Sequence, residues 1–225
     1  MKLTERASNY LKSLDRDSEW ITYEKETREF LNSLRVNYSQ QILDVQLKYS
    51  GFELKISKNE NSITRLNFIS KFHIEKNRKI YTERIDDEII FKFDNGEKPN
   101  IYFITNNGVI CSKDEENPRQ IYFTYEKLET KIEQYALLNE YYYLTAYSSG
   151  NYDVFDFDKL KTELSDFNFI PECSDNLNFC CKNDQVIILV SPWLEGKGRY
   201  INVYGINNDS WKGIIKRLQG KEIIE

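Results

Sequence analysis

A single histidine, His73, serves the whole 225-residue chain. Imidazole catalysis would need a nucleophile or carboxylate folded against this one ring, and no motif supplies one. His73 lies between Phe72 and Ile74 in a segment that reads as strand, where a surface or packing role is the simpler expectation. Cysteine is also scarce. Cys111, Cys173, Cys180 and Cys181 make no CxxC pair and no zinc-ribbon spacing, so in a reducing compartment they are expected to act as small buried hydrophobes. A catalytic role for Cys180 or Cys181 would need a histidine base or a helix N-terminus to lower the thiol pKa. GxGxxG, P-loop, HExxH and GxSxG motifs are all missing. Gly196-Lys197-Gly198 reads as a hairpin connection and not as a phosphate cradle.

Long apolar runs are lacking too. The longest, Val186-Ile187-Ile188-Leu189-Val190, falls far short of the roughly 18 residues a membrane span needs and has the length of a central strand buried on both faces. No basic, apolar leader opens the chain, so the expected compartment is the cytoplasm. Flexible linkers, low-complexity tracts and internal repeats are missing as well. What is present is acid and tyrosine: a net charge of −5, a pI of about 5.2 and 16 tyrosines. A chain that held nucleic acid directly would show a basic face, so that class loses ground and basic partners gain it. At this length roughly 70–75% of the unfolded surface can be buried in one large domain or two small ones, without disulfide or metal.

The first fifth contains neither glycine nor proline and reads as three helices. Leu3, Ala7, Tyr10, Leu11 and Leu14 mark the first. Asp17 or Ser18 is placed to cap the second, with Trp20, Tyr23, Thr27, Phe30 and Leu34 inward. Ser39 is placed to cap the third, whose apolar stripe is Ile42, Leu43, Val45, Leu47 and Tyr49. Gly51 suits a left-handed residue just past that helix, with Phe52 packing back on Leu47, and Glu53 to Ile56 alternates as a strand. An antiparallel meander is expected next: strands over 63–74, at Ile89, Phe91 and Phe93, at 101–105, 109–111 and 120–123. Asp94-Asn95-Gly96 and Asn106-Asn107-Gly108 mark its turns. Thr124 is placed to cap a helix carrying Leu128, Ile132, Tyr135 and Ala136. Beyond 140 come a strand over 141–147, a Ser148-Ser149-Gly150 turn, a short helix over 158–164, strands at 185–190 and 200–204, and a final helix with Trp211, Ile214, Ile215 and Leu218 on one face and Gly220 at its end.

The fold expected is therefore α+β: N-terminal helices packed on a largely antiparallel sheet over residues 1–140, then a β/α extension over 141–225 that ends in an amphipathic helix. The extension is either a separate unit or a continuation of the same sheet.

Carboxylates gather at three places: Asp86-Asp87-Glu88, Asp114-Glu115-Glu116, and Asp153, Asp156 and Asp158. Three readings stay open. They are solvated loop charge, a hard-cation site (for the last group, though the DxDxDG order of a calcium loop is missing), or a docking surface on which carboxylates speed capture of a basic partner and tyrosines anchor it.

The order of elements resembles the SUKH superfamily, a group of cell-wall-synthesis-regulator-like bacterial immunity proteins. The resemblance rests on Leu34 to Tyr38 with Leu43, Leu47, Tyr49, Ser50, Gly51 and Phe52, on 101–110 with its Asn106-Asn107-Gly108 turn, and on Phe123 to Leu128 with Ile132 to Leu137. It covers about residues 18–140. The proline usual before the third helix is replaced by Asn37-Tyr38-Ser39, and the usual double-glycine turn by Gly51-Phe52. The resemblance implies a non-enzymatic protein, monomer or homodimer, without cofactor or metal, that neutralises a cognate toxin, commonly a nuclease with a basic face. The acidic balance and the lack of a long apolar run set the further expectation of no direct contact with nucleic acid or membrane. A different class of function is a small-molecule or carbohydrate-binding module that stacks ligands on Trp193 and Tyr200. A third is an enzyme centred on Asp153, Asp156 and Asp158 or on Cys180.

Overall fold

A computed structural model of the chain describes residues 2–56, 63–93, 102–114, 116–144, 147–194 and 197–225. Among them are seven α-helices and three antiparallel sheets, an α+β fold with helices at its start and a helix at its end. The Asp94-Asn95-Gly96 turn, Ile101, Glu115 and Gly196 lie outside the described residues. No described helix is long and apolar enough to cross a membrane.

The first helix, α1 (Glu5–Lys12), starts at Thr4, whose hydroxyl accepts from the Ala7 amide at 3.2 Å. It buries Ala7, Tyr10 and Leu11. Asp17 then caps a single 3-10 turn, Ser18–Trp20, and not a full helix. The second helix, α2 (Glu24–Ser33), begins later than the sequence suggests. Tyr23 is 73% exposed, and the buried face is Thr27, Phe30 and Leu31. The third, α3 (Gln40–Tyr49), buries Ile42, Leu43, Val45, Gln46 and Tyr49. Ser39 occupies its N-cap position without a side-chain cap bond. Gly51 has φ +95, as a type II turn requires at this position, and the Phe52 amide closes the turn on the Tyr49 carbonyl at 3.3 Å. A Cβ on Gly51 would lie 2.7 Å from the Asp17 carbonyl. Phe52 sits beneath the Arg16 guanidinium, 5.2 Å from its ring centre.

Strands β1 (Glu53–Leu54) and β2 (Thr64–Arg65) form a two-residue ladder. The strand expected over 63–74 ends there: Lys71–Glu75 is a fourth helix, α4, and His73 belongs to it. The cause is a reciprocal cap. The Ser70 hydroxyl accepts from the His73 amide, and His73 Nδ1 accepts from the Ser70 amide at 3.1 Å. The meander follows as β3 (Thr82–Ile85), β4 (Glu88–Lys92), β5 (Phe103–Thr105), β6 (Ile110–Lys113) and β7 (Ile121–Tyr125), paired in that order. Asn106-Asn107-Gly108 makes the β5–β6 turn, with Gly108 at φ +88. Thr124 lies within β7, where its hydroxyl donates to the Ile110 carbonyl, so it caps no helix.

Helix α5 (Leu128–Glu140) is buried nearly all round. Leu128, Ile132 and Ala136 join the N-terminal core with Phe91, Phe93, Ile104 and Ile110, while Leu137 and Leu138 pack with Cys180, Ile187 and Leu189. Several of its buried polar residues find partners far along the chain. Glu133, with no exposed side chain, accepts from the Thr4 amide and hydroxyl and pairs with Arg6 at 3.2 Å. Tyr49 donates to Glu129, and Lys131 Nζ sits 3.6 Å from the centre of the Tyr102 ring.

A 3-10 turn, Tyr142–Leu144, occupies part of the span expected as strand. The second half builds its own sheet from β8 (Tyr147–Val154), β9 (Asn168–Phe169), β10 (Phe179–Lys182), β11 (Val186–Pro192) and β12 (Arg199–Gly205), in the order β8-β12-β11-β10-β9. The expected turn at Ser148-Ser149-Gly150 is a bulge inside β8, where Gly150 has φ +75. Helices α6 (Phe157–Glu163) and α7 (Asn208–Gln219) contribute Leu160, Ile215 and Leu218 to the core that covers Cys181, Ile188, Val190, Ile201 and Val203. The central strand β11 is buried on both faces, toward α5 on one side and α6–α7 on the other.

Candidate functional site

Register places Glu83, Ile85, Glu88, Ile90, Phe103, Cys111 and Phe123 on one face of the meander, because paired residues project to the same side. The opposite face, with Ile89, Phe91 and Ile104, packs into the core under the N-terminal helices. On the outward face Ile85, Ile90, Phe103 and Cys111 form a small cluster of their own, with Ile121 against it. Lys113 reaches across this face from β6 to Glu83 on β3 at 2.6 Å. The Lys113 ammonium holds the Glu83 carboxyl below its ordinary value, with the Tyr81 hydroxyl adding to the effect.

A groove of about 560 Å³ opens beside this cluster, walled by Asp86, Asp87, Glu88, Arg119 and Phe123. Asp86 and Asp87 form the two-residue β3–β4 turn, and Asp86 takes φ +51, a conformation that aspartate tolerates better than most side chains. Glu88 is the unusual member. Its Oε2 is buried and has no hydrogen-bond partner among the described residues. Cys111 feels this carboxylate: burial first, and the charge of Glu88 second, push its thiol up to about 12. A buried carboxylate oxygen without a donor is costly, and it favours an incoming N–H or cation.

The other carboxylates singled out from the sequence do different work. Asp114 accepts from the Glu116 and Asn117 amides and from the Tyr122 hydroxyl, bonds that lower its pKa and shape the β6–β7 loop. Glu116 is exposed beside it, and Glu115 lies outside the described residues. Asp153 accepts from Trp193 Nε1 at 2.5 Å, Asp156 caps α6 through the Lys159 amide, and Asp158 pairs with Lys161 at 3.0 Å. These three are therefore spent on separate local contacts. Among the described residues, no three His, Cys, Asp or Glu side chains are placed to hold a metal ion. Cys180 is buried in β10, and burial raises its thiol well above the ordinary range. Trp193 and Tyr200 lie against each other with ring centres 4.7 Å apart and planes tilted by 42°, so the two rings do not form one flat stacking surface.

No family model matches this chain, and neither does any curated protein or solved structure. The groove's geometry thus carries the functional argument by itself. Arg119 and Phe123, which complete its wall, escape a reading by sequence clusters because neither stands in an acidic run. The signal that could have found Phe123 is its register opposite Cys111, on the face turned away from the core.

Proposed function

We propose that this protein is a non-enzymatic docking protein of the immunity type, and that the outward face of the β3–β7 sheet takes up a cationic side chain of a toxin partner. One observation carries the reading: Glu88 Oε2, buried and without a partner among the described residues, belongs to a groove whose rim bears Asp86 and Asp87. A lysine or arginine inserted there would supply the missing donor and bring a compensating charge. Phe123, 40% exposed, offers an aromatic anchor at the same wall. The rim carboxylates and the net charge of −5 steer a basic molecule toward the site. A toxin that holds nucleic acid through its own basic face presents that chemistry, and binding there blocks it without any reaction on this chain.

The test is co-expression with a basic, toxin-like protein, taken from a gene adjacent to this one where such a gene is present. The native chain should restore growth, and Glu88→Gln should fail to do so while remaining folded. Paired Asp86→Lys and Asp87→Lys changes should slow association and flatten its dependence on salt. If Glu88→Gln protects cells as well as the native chain does, the groove is not the docking site.

A further inference from the structure

The second sheet carries a different groove, of about 410 Å³, whose walls include Phe157, Lys161, Phe169, Asp175, Asn178 and Phe179. Three phenylalanine rings make its apolar part. Phe169 and Phe179 are nearly parallel, at 21° with centres 5.6 Å apart, and Phe157 meets Phe179 edge-on at 6.1 Å. Phe169 belongs to the two-residue edge strand β9 and is 53% exposed, so its ring offers a face to solvent.

The charges around this groove are already met. Lys161 pairs with Asp158 at 3.0 Å and lies 4.3 Å from the centre of the Phe157 ring. The lining carboxylate, Asp175, accepts through Oδ1 from the Leu177 and Asn178 amides and from Asn178 Nδ2, and through Oδ2 from the Glu126 amide. Its charge also supports the Arg199 guanidinium. The backbone donors beside the groove are used as well: the amides of Ser174, Asp175, Asn176, Leu177 and Asn178 all donate within the protein. One buried polar atom of the lining is left over. Asn178 is 2% exposed, and its Nδ2 donates to the Thr124 carbonyl and to Asp175, which fixes the amide's orientation. Its Oδ1 is buried and accepts from no donor among the described residues.

An occupant that suits these groups is uncharged, has a flat face for Phe169, and brings an N–H for Asn178 without acceptors of its own. An anion would need a cation that Asp158 or Asp175 already engages. Purines and pyrimidines bring ring nitrogens and carbonyls, and the buried donors that could meet them are spent. A peptide strand would find no unused amide between Ser174 and Asn178. We propose that the groove binds a small uncharged indole, with its ring on Phe169 and its N–H donated to Asn178 Oδ1. The indole nitrogen donates and accepts nothing, which matches a lining whose unmet need is a donor.

Isothermal titration of the full chain with indole tests this, with N-methylindole, adenine, uracil, indoleacetate and N-acetyltryptophan amide as comparison arms. Indole should bind saturably and more tightly than every comparison compound. N-methylindole keeps the flat ring and loses the N–H, so it reads the Asn178 contact without altering the protein, and it should bind about tenfold more weakly. Phe169→Ala, at an exposed position, should weaken indole by about tenfold with the circular dichroism of the native chain retained. Absence of saturable indole binding, or equal binding of N-methylindole, adenine, uracil or indoleacetate, overturns the assignment. So does an affinity unchanged in Phe169→Ala. Tighter binding of N-acetyltryptophan amide overturns it too, by giving the groove to a tryptophan side chain of a protein partner.

Discussion

The two five-stranded sheets differ in what covers them. The β8–β12 sheet is covered on both sides, by Leu137 and Leu138 of α5 and by the α6–α7 core, so Val186 to Ser191 of β11 are buried throughout. The β3–β7 sheet has helices on one face only, and its other face keeps a small apolar cluster among charged side chains. Stability explains the first arrangement. It does not explain why the open face of the β3–β7 sheet holds a buried carboxylate oxygen with no donor among the described residues. A site that costs the fold something is a better candidate for function than one that only strengthens it.

The effect of widest reach is expected where the two regions join. Arg6 on α1 meets Glu133 on α5 and Glu172 in the second half, at 3.2 and 3.0 Å. Glu133→Ala removes one of the carboxylates around the Arg6 guanidinium together with the acceptor of the Thr4 amide and hydroxyl, and should cost about 3 kcal/mol. Urea unfolding followed by fluorescence and by far-ultraviolet circular dichroism should show one transition for the native chain, shifted well down in the variant. Two separate native transitions would show that each sheet stands without the other.

Truncations within each sheet sharpen the contrast. Ile188 is fully buried in the large core between β11 and α6–α7. Ile90 is fully buried too, but in the four-residue outward cluster. Ile188→Ala should cost about 4 kcal/mol, because tightly packed neighbours on all sides cannot close the cavity. Ile90→Ala should cost about 2 kcal/mol, since a thin cluster at an open face relaxes more easily. Equal losses in denaturant titrations would erase the distinction between a covered and an open face.

Where the sequence is legible, one physical signal acts alone. The final helix shows its inward face at Ile215 and Leu218, the Asn106-Asn107-Gly108 turn announces its hairpin, and the apolar run 186–190 is the central strand. Reading fails where local pattern and distant partner compete. Phe72 and Ile74 alternate as in a strand, yet the Ser70–His73 cap makes α4, and Phe72 is left 52% exposed. The polar side of α5 looks solvated from its residues. It is buried because Arg6, Tyr49 and the second half supply partners from far along the chain. The site shows the same limit. Asp86, Asp87 and Glu88 are visible as acids, but their meeting with Arg119 and Phe123 depends on how the β6–β7 arm lies across the sheet, which no local window contains.

Glu88→Gln separates function from stability more finely. The amide keeps the shape, removes a charge that no described residue pairs, and adds a donor. Stability should rise by about 1 kcal/mol while capture of a basic partner falls. A destabilised variant would mean that the fold itself uses the carboxylate, and the open face would then resemble the covered one.

The smallest effect lies outside both sheets. Burial lowers the pKa of His73 from 6.5, and the charge of Glu19 opposes this only in part. His73 Nδ1 also accepts from the Ser70 amide, which it can do only while that nitrogen carries no proton. The folded ring thus holds a proton less tightly than the unfolded ring. Its contribution is present above pH 6.5 and is lost as the pH falls through the folded midpoint, where the unfolded chain binds more protons. Nuclear magnetic resonance titration should place the ring's midpoint below 6.5. Fluorescence of Trp20, 6.2 Å from the imidazole, should change over the same window, with the amide signals of both sheets holding still. A midpoint at or above 6.5 would mean that the cap tolerates the charged ring. Moving sheet signals would mean that α4 is coupled to the face on which docking is proposed.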